Sequence, residues 1–159
     1  MNTTKIIIIA LSINLFSCGN TQQNSNTNHA VVEKSINHPT LQIFELDGRL
    51  LRMNSFVGKP YVIIFWNTQN TQSIEALKTL ENIKKELGED LIVLALSEEP
   101  AFKQIQYKNK NKHPFYFYKA KFPQEVTTLP ALQLYNKEHK LVKELTQVDK
   151  QEIEKLLHE

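Results

Sequence analysis

Cys18 is the only cysteine among 159 residues. No dithiol can therefore form within the chain, and chemistry that cycles between two thiols and a disulfide has no pair of sulfurs to use. Neither sign of charge is in excess. The 19 Lys and Arg against 17 Asp and Glu leave a formal +2, too small a bias to imply a polyanionic partner. No apolar run reaches the roughly 20 residues that a membrane-spanning helix needs. The five histidines, His29, His38, His113, His139 and His158, are scattered without ligand-like spacing, so no metal and no cofactor is expected. What is present is 41% hydrophobic and 23% charged, close to the globular mean. The length suits one domain of about 100 to 150 residues with appendages.

The N-terminus carries a strong local signal. Lys5 supplies a short positive start, residues 6–16 form an almost unbroken apolar run, and Ser17 is a small residue suited to cleavage. This pattern predicts an export leader over residues 1–17. Leu15, Phe16, Ser17 and Cys18 together resemble the lipobox of bacterial lipoproteins, a resemblance that implies acylation of Cys18 as the mature N-terminus. Two or three acyl chains anchor stably where one binds only marginally. The plainer alternative is an ordinary secretory leader with an incidental cysteine. Residues 18–38 are rich in Asn, Gln, Thr and Ser and cannot bury enough apolar surface to offset the entropy of ordering. They read as a flexible polar tether, leaving residues 39–159 as the folded domain.

Within that domain, residues 40–46 and 49–53 flank Asp47 and Gly48, the signature of a hairpin turn. Residues 61–66 form a continuous β-branched and aromatic run, suited to a strand buried on both faces. Ile74, Leu77, Leu80, Ile83 and Leu87 recur at helical spacing before Gly88, predicting a helix over residues 71–87. Residues 91–96 read as a second buried strand, and the strand-helix-strand order implies a parallel pair. A weaker helix is expected over residues 99–110, then strands at 115–118, 131–135 and 140–146. Asp149 reads as the cap of a closing helix over residues 150–157, with Ile153, Leu156 and Leu157 inward. The class is α/β, a mixed central sheet flanked by helices with an N-terminal hairpin.

This element order resembles the thioredoxin superfamily, as do Phe65 and Trp66 before a helix and Leu129, Pro130 and Ala131 before a late strand. More narrowly, the hairpin and residues 56–60 are similar to envelope-anchored thiol-disulfide oxidoreductases of the TlpA-like and ResA-like kind. The resemblance implies a thioredoxin-like fold and a cis peptide bond at Pro130. It also places the two redox cysteines of the family on Asn70 and Ser73. Both sulfurs are missing. That chemistry needs a thiolate at a helix N-terminus and a second thiol one turn on. Asn70 offers no nucleophile, and Ser73 has no histidine near it in sequence to act as a base. Gln69 stands where the family often has tryptophan, and Ile64 where it often has a polar or carboxylate residue that assists proton transfer.

Two accounts of the degenerate turn at Asn70, Thr71, Gln72 and Ser73 stay open. In one, Asn70, Thr71 and Ser73 cap the helix, since their oxygens accept orphan N–H groups. In the other, the surface still binds extended polypeptide: Leu129 beside Pro130 offers a strand-like edge, with Trp66 and Asn70 bordering the groove. The basic and aromatic residues 108–119 read as a solvated helix end and a strand rather than a nucleic-acid site, though they also suit an anionic lipid surface. The resulting expectation is a redox-inactive, thioredoxin-like lipoprotein facing the periplasm and binding an envelope polypeptide, without nucleic acid. The alternatives are a thiol-disulfide or peroxide-reducing enzyme, and a structural lipoprotein without a specific ligand.

Overall fold

The structure is a computed structural model that describes residues 41–56 and 58–158. The expected leader, Cys18 and the tether lie outside the described residues. Six strands form one sheet: β1 (Ile43–Phe44), β2 (Tyr61–Phe65), β3 (Ile92–Ser97), β4 (Tyr116–Ala120), β5 (Ala131–Tyr135) and β6 (Leu141–Leu145). Their spatial order is β1-β4-β3-β2-β5-β6. β2, β3 and β4 run parallel, while β1, β5 and β6 pair antiparallel to their neighbours. The helices are α1 (Thr71–Leu87), α2 (Ala101–Asn111) and α3 (Lys150–Leu157).

The apolar run at residues 61–66 becomes the central strand, and all five residues of β2 are buried. Burial on both faces is what an unbroken hydrophobic strand between parallel neighbours demands. One face of the sheet packs Val62, Ile64 and Trp66 against Leu77, Leu80 and Ile83 of α1 and Ile153 and Leu156 of α3. The other collects Tyr61, Ile63, Phe65, Leu94 and Leu96 under Met53, Phe56, Phe122 and Leu129. Each fully buried leucine of α1 contributes about 1.5–3 kcal/mol. Both ends of that helix are closed locally. Asn70 caps the start, and Gly88, at φ 64°, turns its N–H back to the Lys84 carbonyl, a left-handed turn that glycine enters without steric cost. Asp149 caps α3 by accepting from Gln151 and Glu152 N–H groups.

The N-terminal hairpin is smaller than the sequence predicts. Glu45 N–H donates to the Arg49 carbonyl, Leu51 N–H to the Ile43 carbonyl, and the turn pivots on Gly48 at φ 93°. Among the described residues a single bridge, between Phe44 and Leu50, pairs the two arms, and residues Met53–Phe56 form a 3-10 turn rather than a strand. The physical reason is competition. Ile43 and Phe44 give their regular ladder to Ala120 and Lys119 of β4, while Leu50 remains 58% exposed and has no apolar face to hold a second strand.

Candidate functional site

The sheet's parallel strands deliver two loops to one end. After Phe65 the chain leaves β2 through Trp66, whose N–H still donates to the Leu96 carbonyl. It then turns sharply over residues 67–70. Asn67 Oδ1 builds that turn by accepting from the backbone N–H of Gln69 at 3.0 Å and of Asn70 at 2.8 Å. Thr68 donates twice to Glu99, from its N–H and from its hydroxyl, both at 2.7 Å. Glu99 is itself held: its N–H bonds Ser97 Oγ, and its carbonyl accepts from Gln104 Nε2. The turn is thus clamped to the loop after β3 by a carboxylate that is only 14% exposed.

Asn70 is the hub of the predicted site. Its Oδ1 accepts from Ser73 N–H at 2.7 Å, and its Nδ2 donates to the Leu129 carbonyl at 3.2 Å. The peptide bond between Leu129 and Pro130 is cis, as the resemblance implied. Pro130 is buried and Leu129 half-buried. Thr71 and Gln72 face solvent, whereas Ser73 is wholly buried with no hydrogen-bond partner for its hydroxyl among the described residues. Asn70, Leu129 and Pro130 therefore meet, as expected from sequence. Trp66 does not join them at the surface. It is fully buried, packed at 4.9 Å from Tyr107 and 5.4 Å from Phe117 between ring centroids. A residue at the end of a strand covered on both faces has its side chain set by the strand's alternation, and Trp66 falls on the face that α1 covers.

Residues 67–73 hold no cysteine. A carboxamide stands at the helix N-terminus, where the macrodipole would otherwise stabilise a thiolate, and both ends of that carboxamide are engaged in the fold. Ile64 is buried among apolar residues, so the strand offers no proton-transfer group there. Among the described residues no group of three or more His, Cys, Asp or Glu is placed to hold a metal ion.

Sequence reasoning missed two polar arrangements. The Thr68 to Glu99 clamp had a readable signal: the parallel register pairs Phe65 with Leu96, so the residues three beyond each, Thr68 and Glu99, leave the sheet side by side. The other had none. His113, 7% exposed, lies between Glu81 of α1 and Tyr107 of α2, with Nδ1 2.7 Å from Glu81 Oε2 and Nε2 3.0 Å from the Tyr107 hydroxyl. An ionised carboxylate only accepts, so Nδ1 donates to Glu81, and Nε2 shares a hydrogen bond with the Tyr107 hydroxyl. The Glu81 carboxyl is held below its ordinary range, chiefly by the Lys85 hydrogen bond, with burial opposing and His113 reinforcing. Burial, and then the Glu81 charge, push the Tyr107 phenol up.

No family model and no curated protein matches the sequence. Solved structures do match. A thiol:disulfide interchange protein from Bacteroides sp. aligns at TM-score 0.62 and 15% identity, over 75% of this chain and 86% of that one. The thioredoxin-family thiol:disulfide interchange protein of Chlorobium tepidum aligns at 0.61 and 12%, over 72% and 88%. The exposed lipoprotein thioredoxin Etrx1 of Streptococcus pneumoniae aligns at 0.53 and 24%, over 74% and 96%. The fold is thioredoxin-like.

Proposed function

We propose that this chain is a lipid-anchored protein of the bacterial cell envelope whose thioredoxin-like domain binds a polypeptide without redox chemistry. The observation that carries the reading is Asn70. At the position where the resemblance places the family's nucleophile, the side chain instead ties the start of α1 to the Leu129 carbonyl, a thiol-free link beside Pro130. The Leu129 carbonyl retains a second lone pair, and an extended segment lying beside residues 128–130 would use it as a strand edge. Cys18, outside the described residues, supplies the anchor in this reading, and the domain faces the periplasm.

Photocrosslinking from Gln69→p-benzoylphenylalanine in intact cells tests the binding reading. A discrete envelope polypeptide attached at this position, and absent when the probe replaces Glu138 at the opposite turn, is the expected result. No adduct would favour a structural lipoprotein without a specific ligand. The names of the structural neighbours favour a second reading, thiol-disulfide exchange, which insulin reduction by the purified protein tests; turnover above background would overturn the inert assignment. Retention of a Cys18→Ala chain in the membrane fraction would remove the anchor.

A further inference from the structure

The strongest segregation of charge in the chain lies away from the degenerate turn. From Ala101 to Gln124 the sequence holds Lys103, Lys108, Lys110, Lys112, Lys119 and Lys121 and no acidic residue. Four of these lysines border α2. At about 3.6 residues per turn, Phe102, Ile105, Gln106 and Asn109 share one face of that helix, and it is the outer one. Phe102 is 65% and Ile105 41% exposed, while Gln104 on the opposite side is buried. Lys108 and Lys112 flank the apolar stripe on one side, and Lys103 and Lys110 on the other. Among the described residues, Lys108, Lys110 and Lys112 have no carboxylate within ion-pair distance, and Lys103 has only a distant one, Glu99 at 3.8 Å.

We propose that the outer face of α2 is a contact surface for an anionic phospholipid bilayer, on which Phe102 and Ile105 dip into the headgroup boundary and the four lysines meet lipid charge. An apolar stripe edged by lysines is the pattern of helices that lie in a membrane interface, because the long lysine stems let the ammonium groups reach the headgroups. Each lysine near an anionic surface contributes favourably, and the effect fades within a Debye length. An acidic protein would satisfy the lysines equally well. The bilayer is favoured by where the domain sits in the anchored reading, on which this proposal rests for proximity alone. In that reading the 21 residues 18–38 could span at most about 75 Å, which would keep α2 at high effective concentration beside the lipid. Docking of α2 would fix how the domain presents the surface around Asn70 and Leu129.

The test uses the full chain with Gln106→Cys carrying a polarity-sensitive fluorophore, reconstituted into vesicles. An acylated Cys18 leaves position 106 as the sole thiol. A second dye on Cys18 would report that the anchor reading has failed, and the same measurement then proceeds on the Cys18→Ser chain. The expected result is a blue shift in phosphatidylcholine vesicles containing phosphatidylglycerol, none in pure phosphatidylcholine, and none from a dye at Glu138→Cys. Lys108→Glu with Lys110→Glu should weaken the docked state at least about tenfold, as should raising salt from about 0.1 to 0.5 M. These positions are exposed, and an unchanged circular dichroism spectrum verifies folding. A dye at position 106 that responds identically in both lipids would overturn the proposal and leave the stripe to an acidic protein surface.

Discussion

The start of α1 and its middle use polar side chains in opposite ways. At the start, where the fold family keeps its chemistry, Asn67 and Asn70 spend their hydrogen bonds on the chain's own turn and on the Leu129 carbonyl. They serve the backbone. In the middle, where no chemistry is expected, Glu81 enters a half-buried side-chain chain through the buried His113 to Tyr107, whose ring lies against Trp66. Here side chains satisfy side chains, across α1, α2 and the approach to β4. The comparison teaches that residue identity at a familiar position says less about stability than the number of elements a polar group joins. Asn70 joins its sequence neighbours and one loop at a part-exposed helix end, where water can replace it, whereas a more deeply buried bridge leaves partners stranded when it is removed.

The largest expected effect follows directly. His113→Ala removes a buried ring stacked 5.1 Å from Phe115 and 5.6 Å from Tyr107, and it strands both hydrogen-bond partners. A loss of about 2–4 kcal/mol is expected, read as a lower denaturation midpoint at unchanged slope. Asn70→Ala should cost less, about 1–2 kcal/mol, the usual range for an N-cap together with one inter-loop bond. If equilibrium unfolding gave the two variants equal losses, the contrast between the two regions of α1 would be gone.

A third variant sharpens the middle region alone. Because the Glu81 carboxyl is held below its ordinary range, its contribution is present above the unfolded value, near 4.5, and is lost as pH falls through the folded one. Glu81→Gln should therefore destabilise by up to about 1 kcal/mol at pH 7, discounted because the Lys85 partner is largely exposed. The gap between variant and parent should shrink as pH falls below 4.5 and on through the lowered folded value. A pH-independent gap would mean that packing, and not charge, carries the Glu81 contribution.

How much of this was legible differs by the kind of signal. α1 could be bounded at residues 71–87 because its apolar spacing, its polar cap and Gly88 agree with one another. β2 was plain from an unbroken run, and the neighbourhood of Asn70, Leu129 and Pro130 came with the resemblance. The second arm of the hairpin misled, because Asp47 and Gly48 form the turn whether or not Leu50 finds an apolar face beyond it. Trp66 misled for a related reason: strand alternation tells which residues share a face but not which face a helix will cover. His113 was illegible. Its partners lie 32 and 6 residues away, and nothing in local pattern links a histidine before β4 to a glutamate on the far helix.

The smallest expected effect bears on the start of α1 again, through Ser73. Its hydroxyl is fully buried without a partner among the described residues, and Asn70 Oδ1 accepts from the Ser73 backbone N–H. Burying a hydroxyl that bonds nothing is a net cost, and serine is also a slightly poorer helix former than alanine. Ser73→Ala should therefore raise stability by about 0.5–1 kcal/mol, a gain of a few degrees in thermal midpoint for a domain of this size. Gain is the diagnostic sign, because a polar group kept for the fold would cost stability when deleted. If Ser73→Ala instead lowered the midpoint, the hydroxyl would have to be satisfied by a buried water. The first turn of α1 would then contain a bridging network of its own, like that around His113, and would be more than a self-contained cap.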